Sequence, residues 1–426
     1  MPLGQESSFS RAGRPQFHFT VANGWMNDPH GITYRDGEYH VFFQYVPGRT
    51  DWAPNCHWGH AVGKDLLSLR EAEVAISPGD GDGGIWTGSL VTDTDGEARI
   101  FYTSTNPEDF NIGRIRMATT KDPEWRNWVK GAVVVEAPAG LDIATFRDPF
   151  VRLEADGWRM FVGAGLHDGT AAALAYTSSD LEVWDFDGVV LQRSRSETDM
   201  VWTGALWECP QFFQLGGKSV MVSSIWDDDV LYYAAYAVGT FVDGSFQADT
   251  WGRLTFGDSY YAPSLFTDAD GEPGLVFWMR GAGGEEQGWA GAHSVPYSLE
   301  LVGDRLVARP HRDVEAHRGP RFDGQNVAKA MDITWSGGEG GQLVISSGGV
   351  AVQFRWEPGE VIVSQNAQEA SSDRLPVLGG PVRILLDGPL VEVSEAGGLL
   401  GVVTALGETD ARVSVTTGAL EGYVIE

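Results

Sequence analysis

Five glycine-containing turns recur at nearly constant spacing along the first part of the chain. Each separates two short runs rich in Val, Phe, Tyr and Thr, which is the pattern of a β-hairpin. The turn glycines are Gly37, Gly96, Gly157, Gly217 and Gly271, so successive turns lie 59, 61, 60 and 54 residues apart. Repeats of this length leave room for one four-stranded sheet each, as in the blades of a β-propeller. The sequence therefore predicts an all-β fold with a five-bladed β-propeller, and an irregular β-sandwich is the alternative.

One position of this repeat carries an acid in three of the five segments. Nine residues before the turn glycine stand Asp28, Asp148 and Glu208 in the first, third and fourth repeats, and Thr87 and Ala262 in the other two. Equivalent positions of a radial repeat lie at the same distance from its axis. We therefore expect the three acids to meet at one mouth of the central channel.

The composition changes beyond about Arg318. Aromatic residues become rarer, and Gly-rich turns separate short alternating strands such as those at 350–356 and 382–387. This pattern predicts a C-terminal β-sandwich. We assign residues 1–310 to the propeller, 311–322 to a linker and 323–426 to the sandwich. Within the linker, residues 311–317 form either a solvated connector, which we favour slightly, or a short helix.

Charge limits the partners of the chain. The formal net charge of −29 repels phosphate backbones and anionic lipid surfaces, so we expect neither nucleic acid nor membrane partners. A small neutral molecule or an oligosaccharide fits better, and association into a homo-oligomer stays open. No apolar run reaches the roughly 18 residues of a membrane helix, and the N-terminus lacks the apolar core of a signal peptide. We expect a cytoplasmic protein, or a secreted one if a leader has been removed.

The cysteines and histidines indicate no metal or redox site. Cys56 and Cys209 are too few for a disulfide framework or a Cys-rich metal site, and we expect both to be reduced thiols. The sequence contains no HExxH, no paired Cys/His spacing and no Gly-rich phosphate loop. We therefore predict neither a metal nor a cofactor.

The neighbours of the first two acids restrict their conformation. Asp28 precedes Pro29, which favours an extended backbone at Asp28 and a fixed direction for its carboxylate. Asp148 also precedes a proline and follows Arg147, which we expect to keep Asp148 ionised and to help it accept sugar hydroxyls. The alternatives are an ordinary turn for Asp28 and a surface ion pair for Asp148.

The third acid stands among apolar residues. Glu208 lies between Trp207 and Cys209, a setting that suits a proton donor, with a buried structural glutamate as the alternative. We assign Cys209 no chemical step. Aromatic and amide side chains nearby in the repeats are candidates for a sugar pocket, because Trp faces pack on sugars and Gln bonds hydroxyls. These are Gln44, Trp52, Trp86 and Thr87, for which packing in the core is the alternative.

Glycoside hydrolysis requires two carboxyl groups, which lie about 5 Å apart in retaining enzymes. At these residues the sequence resembles glycoside hydrolase family 32, the invertases, fructanases and sucrose-6-phosphate hydrolases. The resemblance covers nearly the whole chain. Its motifs are WMNDPHG (25–31), FFQYVP (42–47), WGHAVGKDL (58–66), WTGS (86–89), FRDP (146–149), WECP (207–210), YYAPSLF (260–266) and GWAGAHSVP (288–296).

The resemblance implies a five-bladed propeller followed by a β-sandwich. It implies that Asp28 is the nucleophile, Asp148 the stabiliser of the transition state and Glu208 the acid/base. The positions implied to contact substrate are Trp25, Asn27, Gln44, Trp52, Trp86, Thr87 and Arg147. The implied activity is hydrolysis, with retention, that releases terminal β-D-fructofuranosyl units from sucrose and related fructosides.

Several other functions stay open. A fructosyltransferase or a levan- or inulin-specific hydrolase would use the same residues, and a carbohydrate-binding propeller would lack turnover. An arabinan hydrolase is a more distant alternative. The sequence departs from the family's usual pattern at His30 and Val46, where Asn is usual, at Gln211, where Asp is usual, and at Ser394, where an aromatic is common. We expect Gln211 to alter the charge of the pocket or its leaving-group site.

Overall fold

The structure is a computed structural model that describes residues 13–322, 328–366, 372–406 and 411–426. Within these ranges it is almost entirely β, with one α-helix and one short 3-10 helix at Glu285–Gln287. None of the helices in the described ranges has the length and apolar character needed to cross a membrane.

The first 310 residues contain five consecutive groups of strands. The first group is β1 (Gly24–Arg35), β2 (Glu38–Val46), β3 (His57–Gly63) and β4 (Arg70–Glu71). The second is β5 (Ile85–Thr92), β6 (Ala98–Asn106), β7 (Asp109–Thr119) and β8 (Val129–Val135). The third is β9 (Ile143–Glu154), β10 (Gly157–Leu166), β11 (Thr170–Ser178) and β12 (Asp185–Ser194). The fourth is β13 (Leu206–Leu215), β14 (Lys218–Asp227), β15 (Val230–Val242) and β16 (Ser245–Arg253), followed by the separate β17 (Thr255–Phe256). The fifth is β18 (Tyr260–Thr267), β19 (Pro273–Gly284), β20 (Trp289–His293), β21 (Tyr297–Val302) and β22 (Arg305–Pro310).

These groups form a closed ring, a β-propeller. Strands within each group pair antiparallel in chain order, and β20 and β21 both pair with β19 as one interrupted strand. The inner strands β1, β5, β9, β13 and β18 each contact the next one, and β18 contacts β1. At the closure, Gly24 and Trp25 of β1 run parallel to Trp289 and Ala290 of β20. The strand pairing thus supplies the five four-stranded groups that five blades require.

The five hairpins predicted from the turn glycines are present. Gly37, for example, connects β1 to β2 with a φ of 88°, and Gly217 connects β13 to β14 with a φ of 79°. A residue with a Cβ rarely adopts this left-handed conformation. The glycines therefore determine where each inner strand turns back.

The rest of the chain forms a β-sandwich. Its strands are β23 (Arg318–Arg321), β24 (Ala330–Ser336), β25 (Gln342–Ser347), β26 (Val350–Glu357), β27 (Glu360–Gln365), β28 (Asp373–Pro376), β29 (Val382–Asp387), β30 (Leu390–Glu395), β31 (Gly398–Val403), β32 (Arg412–Val415) and β33 (Ala419–Ile425). One sheet has the order β17-β31-β30-β29-β24-β33-β23 and the other β28-β27-β26-β25-β32. Alternate apolar side chains of both sheets, including Ile333, Phe354 and Ile384, form a shared core.

The connection between the two parts differs from the favoured expectation. Residues Arg312–Ala316 form helix α1, whose N-terminus is capped by the His311 ring, which accepts from the Asp313 backbone N–H. The connector interpretation of 311–317 was therefore wrong. Strand β17 joins a sheet of the sandwich by pairing with β31, and β23 pairs with β33. The predicted boundaries 1–310, 311–322 and 323–426 stay predictions.

A buried polar cluster fastens the N-terminal segment to the sandwich. Asp387 accepts the backbone N–H groups of Gln16 (2.6 Å), Phe17 (2.8 Å) and His18 (2.9 Å). The His18 ring bonds Asp387 at 2.9 Å and Glu392 at 2.6 Å. Burial alone lowers the pKa of His18, but the charge of Glu392 and the hydrogen bonds with both acids raise it to about 9. The ring is therefore a cation between two carboxylates.

We predict that Asp387→Ala destabilises the protein strongly. The change leaves three backbone N–H groups and Nδ1 of the buried His18 cation without their acceptor, so the free energy of unfolding should fall by about 3 kcal/mol or more. Chemical denaturation followed by tryptophan fluorescence measures the change. The control is Asp304→Ala, which breaks an exposed pair with Lys218 and should leave stability nearly unchanged. Equal effects of the two variants would contradict the prediction.

Candidate active site

A β-bulge interrupts every inner strand at the level of the repeat position that carries the acids. The register shifts fall at Asn27–Asp28, Thr87, Asp148–Pro149, Cys209–Pro210 and Ala262–Pro263. A bulge bends the strand and redirects the side chains beside it. The backbone is left-handed at Asp148, Cys209 and Ala262, with φ of 65°, 51° and 46°. The five strands thus turn these side chains toward the axis at one depth.

Hydrogen bonds orient the carboxylate of Asp28. Asn27 Nδ2 donates to Oδ1 at 2.9 Å, and the Thr87 hydroxyl donates to Oδ2 at 2.8 Å. Gln44 Nε2 lies 3.3 Å from the same Oδ2 and 2.6 Å from the Thr87 hydroxyl. Three residues predicted to contact substrate therefore contact Asp28 itself. They hold the carboxylate in one orientation.

Both oxygens of Glu208 have strong donors. Arg147 donates to Oε1 from Nε at 3.0 Å and from Nη2 at 2.9 Å. The Tyr261 hydroxyl donates to Oε2 at 2.5 Å. Burial raises the pKa of Tyr261 well above its ordinary value and the charge of Glu208 raises it further, so the hydroxyl keeps its proton. The Glu208 side chain is 16% exposed, which leaves it open to a ligand from the channel.

Asp148 is more buried than the other two acids. Its Oδ2 accepts the backbone N–H of Cys209 at 3.1 Å, and Cys209 Sγ is 3.6 Å from the same atom. Its own backbone N–H donates to the Thr103 hydroxyl at 2.8 Å. Both cysteines are free, as predicted. Cys209 therefore contacts Asp148 chiefly through its backbone N–H.

The structure brings the three acids into one electrostatically coupled group. Burial raises the pKa of Asp28 from 3.8 to about 6, and the charge of Glu208 contributes to the rise. Burial also raises the pKa of Asp148, Glu208 and Asp28 raise it further, and Arg147 opposes the rise. Carboxyl groups influence each other in this way only when they are close together. The predicted convergence of the three side chains is thus present.

Arg147 acts on two of the three acids. Its charge lowers the pKa of its neighbour Asp148, as expected, although burial and Glu208 outweigh it, while its hydrogen bonds go to Glu208. Its guanidinium also lies 5.9 Å from the ring of Trp86 and 5.8 Å from that of Trp226. The bulge at Asp148–Pro149 and the left-handed backbone at Asp148 redirect the side chains beside them. Arg147 therefore reaches across to the next blade.

Three tryptophans surround the mouth of the site. Trp25 donates to Asn27 Oδ1 at 3.0 Å, and Trp86 donates to the Pro54 carbonyl at 2.8 Å. Trp52 meets Trp86 edge-on with ring centres 5.8 Å apart, and it is 46% exposed. The alternative of core packing is thus excluded for Trp52. An exposed indole at a channel mouth offers an apolar face to a sugar ring.

Comparison with known proteins assigns the chain to a family. The family model described as "Glycosyl hydrolases family 32 N-terminal domain" matches residues 18–310. The chain belongs to this family. Among curated relatives, the chain is 33% identical over 327 residues to a sucrose-6-phosphate hydrolase from Zymomonas mobilis, which covers 71% of this chain and 63% of that protein. It is 31% identical over 347 residues to beta-fructofuranosidase insoluble isoenzyme 4 of Oryza sativa subsp. japonica, covering 73% and 57%.

Solved structures share the whole fold. The GH32 beta-fructofuranosidase of Bombyx mori matches with a TM-score of 0.85 and 24% identity, covering 99% of this chain and 96% of that one. This likeness extends over the propeller and the sandwich. It therefore supports the two-part fold of this family 32 protein.

Two of the residues that depart from the family 32 pattern, Gln211 and His30, have defined contacts in the structure. Gln211 donates to the Pro263 carbonyl at 2.6 Å and accepts the Leu265 backbone N–H at 2.7 Å, so it ties β13 to β18. Gln211 lines a small cavity together with Thr87 and Asp148, and its expected effect on the charge of the pocket or on the leaving-group site stays a prediction. His30 is buried, with its ring centre 3.9 Å from that of Trp58.

Sequence reasoning missed two side chains of the site, Tyr261 and Trp226. Tyr261 lies in the YYAPSLF motif, but nothing in its spacing distinguished it from Tyr260 beside it. Trp226 lies on the second strand of its blade, outside the repeat position of the acids. Across the described ranges, no group of His, Cys, Asp and Glu is arranged to hold a metal ion.

We predict opposite shifts of the Asp28 pKa in two variants. Glu208→Gln removes a neighbouring negative charge and should lower the pKa from about 6. Thr87→Val removes a donor to the ionised carboxylate and should raise it. NMR titration of carboxyl carbons in ¹³C-aspartate-labelled protein, assigned with Asp28→Asn, measures both shifts. The control is Ser89→Ala, two residues along β5, which should leave the titration unchanged. Shifts of the same sign would contradict this account.

Proposed function

We propose that this protein is a retaining β-fructofuranosidase that releases terminal β-D-fructofuranosyl units from sucrose and related fructosides. The observation that carries the proposal is the coupled pair of Asp28 and Glu208 in one channel of a family 32 propeller. The variant of the Bombyx mori protein solved with sucrose and the curated relatives named as fructofuranosidases support the substrate class.

The first step forms a covalent intermediate. Asp28, ionised and oriented by Asn27 and Thr87, attacks the anomeric C2 of the fructosyl unit while Glu208 gives its proton to the departing glycosidic oxygen. Because both Arg147 donors occupy Oε1 of Glu208, we assign the transferred proton to Oε2. The C2–O bond to the leaving group breaks as the bond to Asp28 forms.

The second step releases fructose. Glu208, now ionised, takes a proton from a water molecule, whose oxygen attacks C2 and displaces Asp28. Two displacements at one carbon give overall retention. Asp148 binds the sugar: Cys209 occupies its Oδ2, so we assign Oδ1 to the hydroxyl groups of the fructosyl ring.

The charges around the mouth favour a neutral substrate. Loops that join the second and third strands of each blade lie at the bulged ends of the sheets, and they carry the exposed acids Asp51, Glu108, Asp168, Asp228, Asp229, Glu285 and Glu286. Asp228 is four residues beyond Ser224, the partner of Glu208, about 13 Å along the strand. Two arginines of this region are paired, Arg49 with Asp51 and Arg195 with Asp227 and Asp228. A negatively charged mouth repels phosphate esters.

Two variants test the assigned roles. Asp28→Asn should lower kcat/KM on the order of 10⁵-fold for every fructoside, because no nucleophile remains. Glu208→Gln should slow sucrose about a thousandfold but formation of the intermediate from fructosyl fluoride far less, because fluoride leaves without a proton. Fructose release and rapid-quench kinetics measure both. Asp95→Asn, in an exposed turn, is the matched control.

Retained activity in Asp28→Asn would remove the nucleophile assignment, and equal losses for both substrates in Glu208→Gln would remove the acid role. Binding of sucrose without release of fructose by the native protein would instead indicate a carbohydrate-binding propeller. Product analysis at high sucrose separates hydrolysis from fructosyl transfer.

We predict that sucrose is a better substrate than sucrose 6-phosphate. The acids of the mouth should lower kcat/KM for the phosphate ester, and added salt should narrow the difference by screening them. Asp228→Asn with Asp229→Asn should raise kcat/KM for the ester alone, because it removes two negative charges from the mouth. Asparagine tolerates the left-handed backbone at both sites, so the fold should be unchanged. Steady-state kinetics at two ionic strengths measures this. A preference for the ester would contradict it.

A further inference from the structure

A glutamate of the sandwich reaches into the last blade of the propeller. Glu392 lies on β30 and is fully buried. Its Oε1 accepts the Val295 backbone N–H at 2.9 Å and bonds His18 Nε2 at 2.6 Å. Its Oε2 accepts the hydroxyls of Tyr297, at 3.0 Å, and of Tyr260. One carboxylate thus joins the N-terminal segment, the sandwich and two tyrosines of the fifth blade.

Tyr260 contacts the sandwich through both its hydroxyl and its ring. Its hydroxyl bonds Glu392 and also lies 2.9 Å from the Tyr297 hydroxyl. Its ring packs against the backbone of β31 at Gly401, where a Cβ would lie 3.2 Å from the ring. Any larger residue at position 401 would push the ring away. The start of β18 is therefore held by the sandwich as well as by Phe277 and Tyr297 of its own blade.

Tyr261, the next residue, contacts the active site. Because successive strand residues point to opposite faces, Tyr261 turns away from the sandwich when Tyr260 turns toward it. Its hydroxyl donates to Glu208 at 2.5 Å. The Arg280 guanidinium lies 5.1 Å from its ring centre and donates to the Leu231 carbonyl at 2.8 Å. Just beyond it, the Ala262 backbone N–H donates to the Ser224 hydroxyl at 3.0 Å.

We propose that Tyr261 is a positioning residue for Glu208, and that Glu392 of the sandwich determines where Tyr261 stands by holding Tyr260. The inference rests on the acid/base role proposed for Glu208. Tyr261 touches Oε2, the oxygen to which we assign the transferred proton, and donates to it when Glu208 is ionised. The sandwich thereby contributes to catalysis without touching the substrate.

Two tyrosines give a matched test of this link. Tyr260→Phe and Tyr297→Phe each remove one hydroxyl from Glu392 Oε2, but only Tyr260 is adjacent to Tyr261. Tyr261→Phe should lower kcat about tenfold with little change in KM, because a hydrogen bond to a charged group is lost. Tyr260→Phe should lower kcat about threefold, and Tyr297→Phe should leave it unchanged. In Tyr261→Phe and Tyr260→Phe the loss should be larger for sucrose than for fructosyl fluoride, since only sucrose needs the proton.

Equal effects of Tyr260→Phe and Tyr297→Phe on kcat would overturn the role of the sandwich. An unchanged kcat in Tyr261→Phe, or equal losses for both substrates, would overturn the positioning role.

Crystal structures of native protein and Tyr260→Phe test the geometry without any turnover. We expect the Tyr261 hydroxyl to shift away from Glu208 and lengthen their hydrogen bond, and an unmoved pair refutes the link. A moved pair in a protein that releases no fructose would instead refute only the proposed function.

Discussion

Repulsion between three carboxyl groups in one narrow channel is the constraint on which the site depends. Bulged inner strands bring Asp28, Asp148 and Glu208 together, where burial and the charge of Glu208 raise the free-energy cost of ionising both aspartates. The surrounding residues offset that cost unequally. Arg147 and Tyr261 bond Glu208, and Asn27 and Thr87 bond Asp28. Two acids with different environments can take different roles, which is what a two-step displacement requires.

The distance of the acids from the propeller axis and their level along it could be predicted, because residues at the same repeat position share both. The residues nine before each turn glycine fall within one residue of the observed bulges in all five blades. Contacts between blades could not be predicted in this way. The left-handed backbone at Asp148 and Cys209 redirects the side chains around it, so Arg147 meets Glu208 and not its neighbour. The choice between Tyr260 and Tyr261 likewise depends on which side of β18 faces the site.

The two parts of the chain are more closely joined than the sequence indicated. Composition distinguishes a propeller from a sandwich, and it does not report that β17 pairs with β31 or that Asp387 and Glu392 enclose His18. These contacts connect residues hundreds of positions apart, and no local pattern marks them. They also bring the sandwich within one residue of Tyr261. The proposed link between Glu392 and Tyr261 predicts that activity requires both parts of the chain.

The proposed mechanism depends on a covalent bond between Asp28 and the sugar. Rapid quenching of Glu208→Gln with fructosyl fluoride, followed by proteolysis and mass spectrometry, tests it most directly, because the variant forms the intermediate but hydrolyses it slowly. We predict that the peptide containing Asp28 gains the mass of one fructosyl unit. A label on another residue, or an unlabelled enzyme that still releases fluoride, would contradict the account.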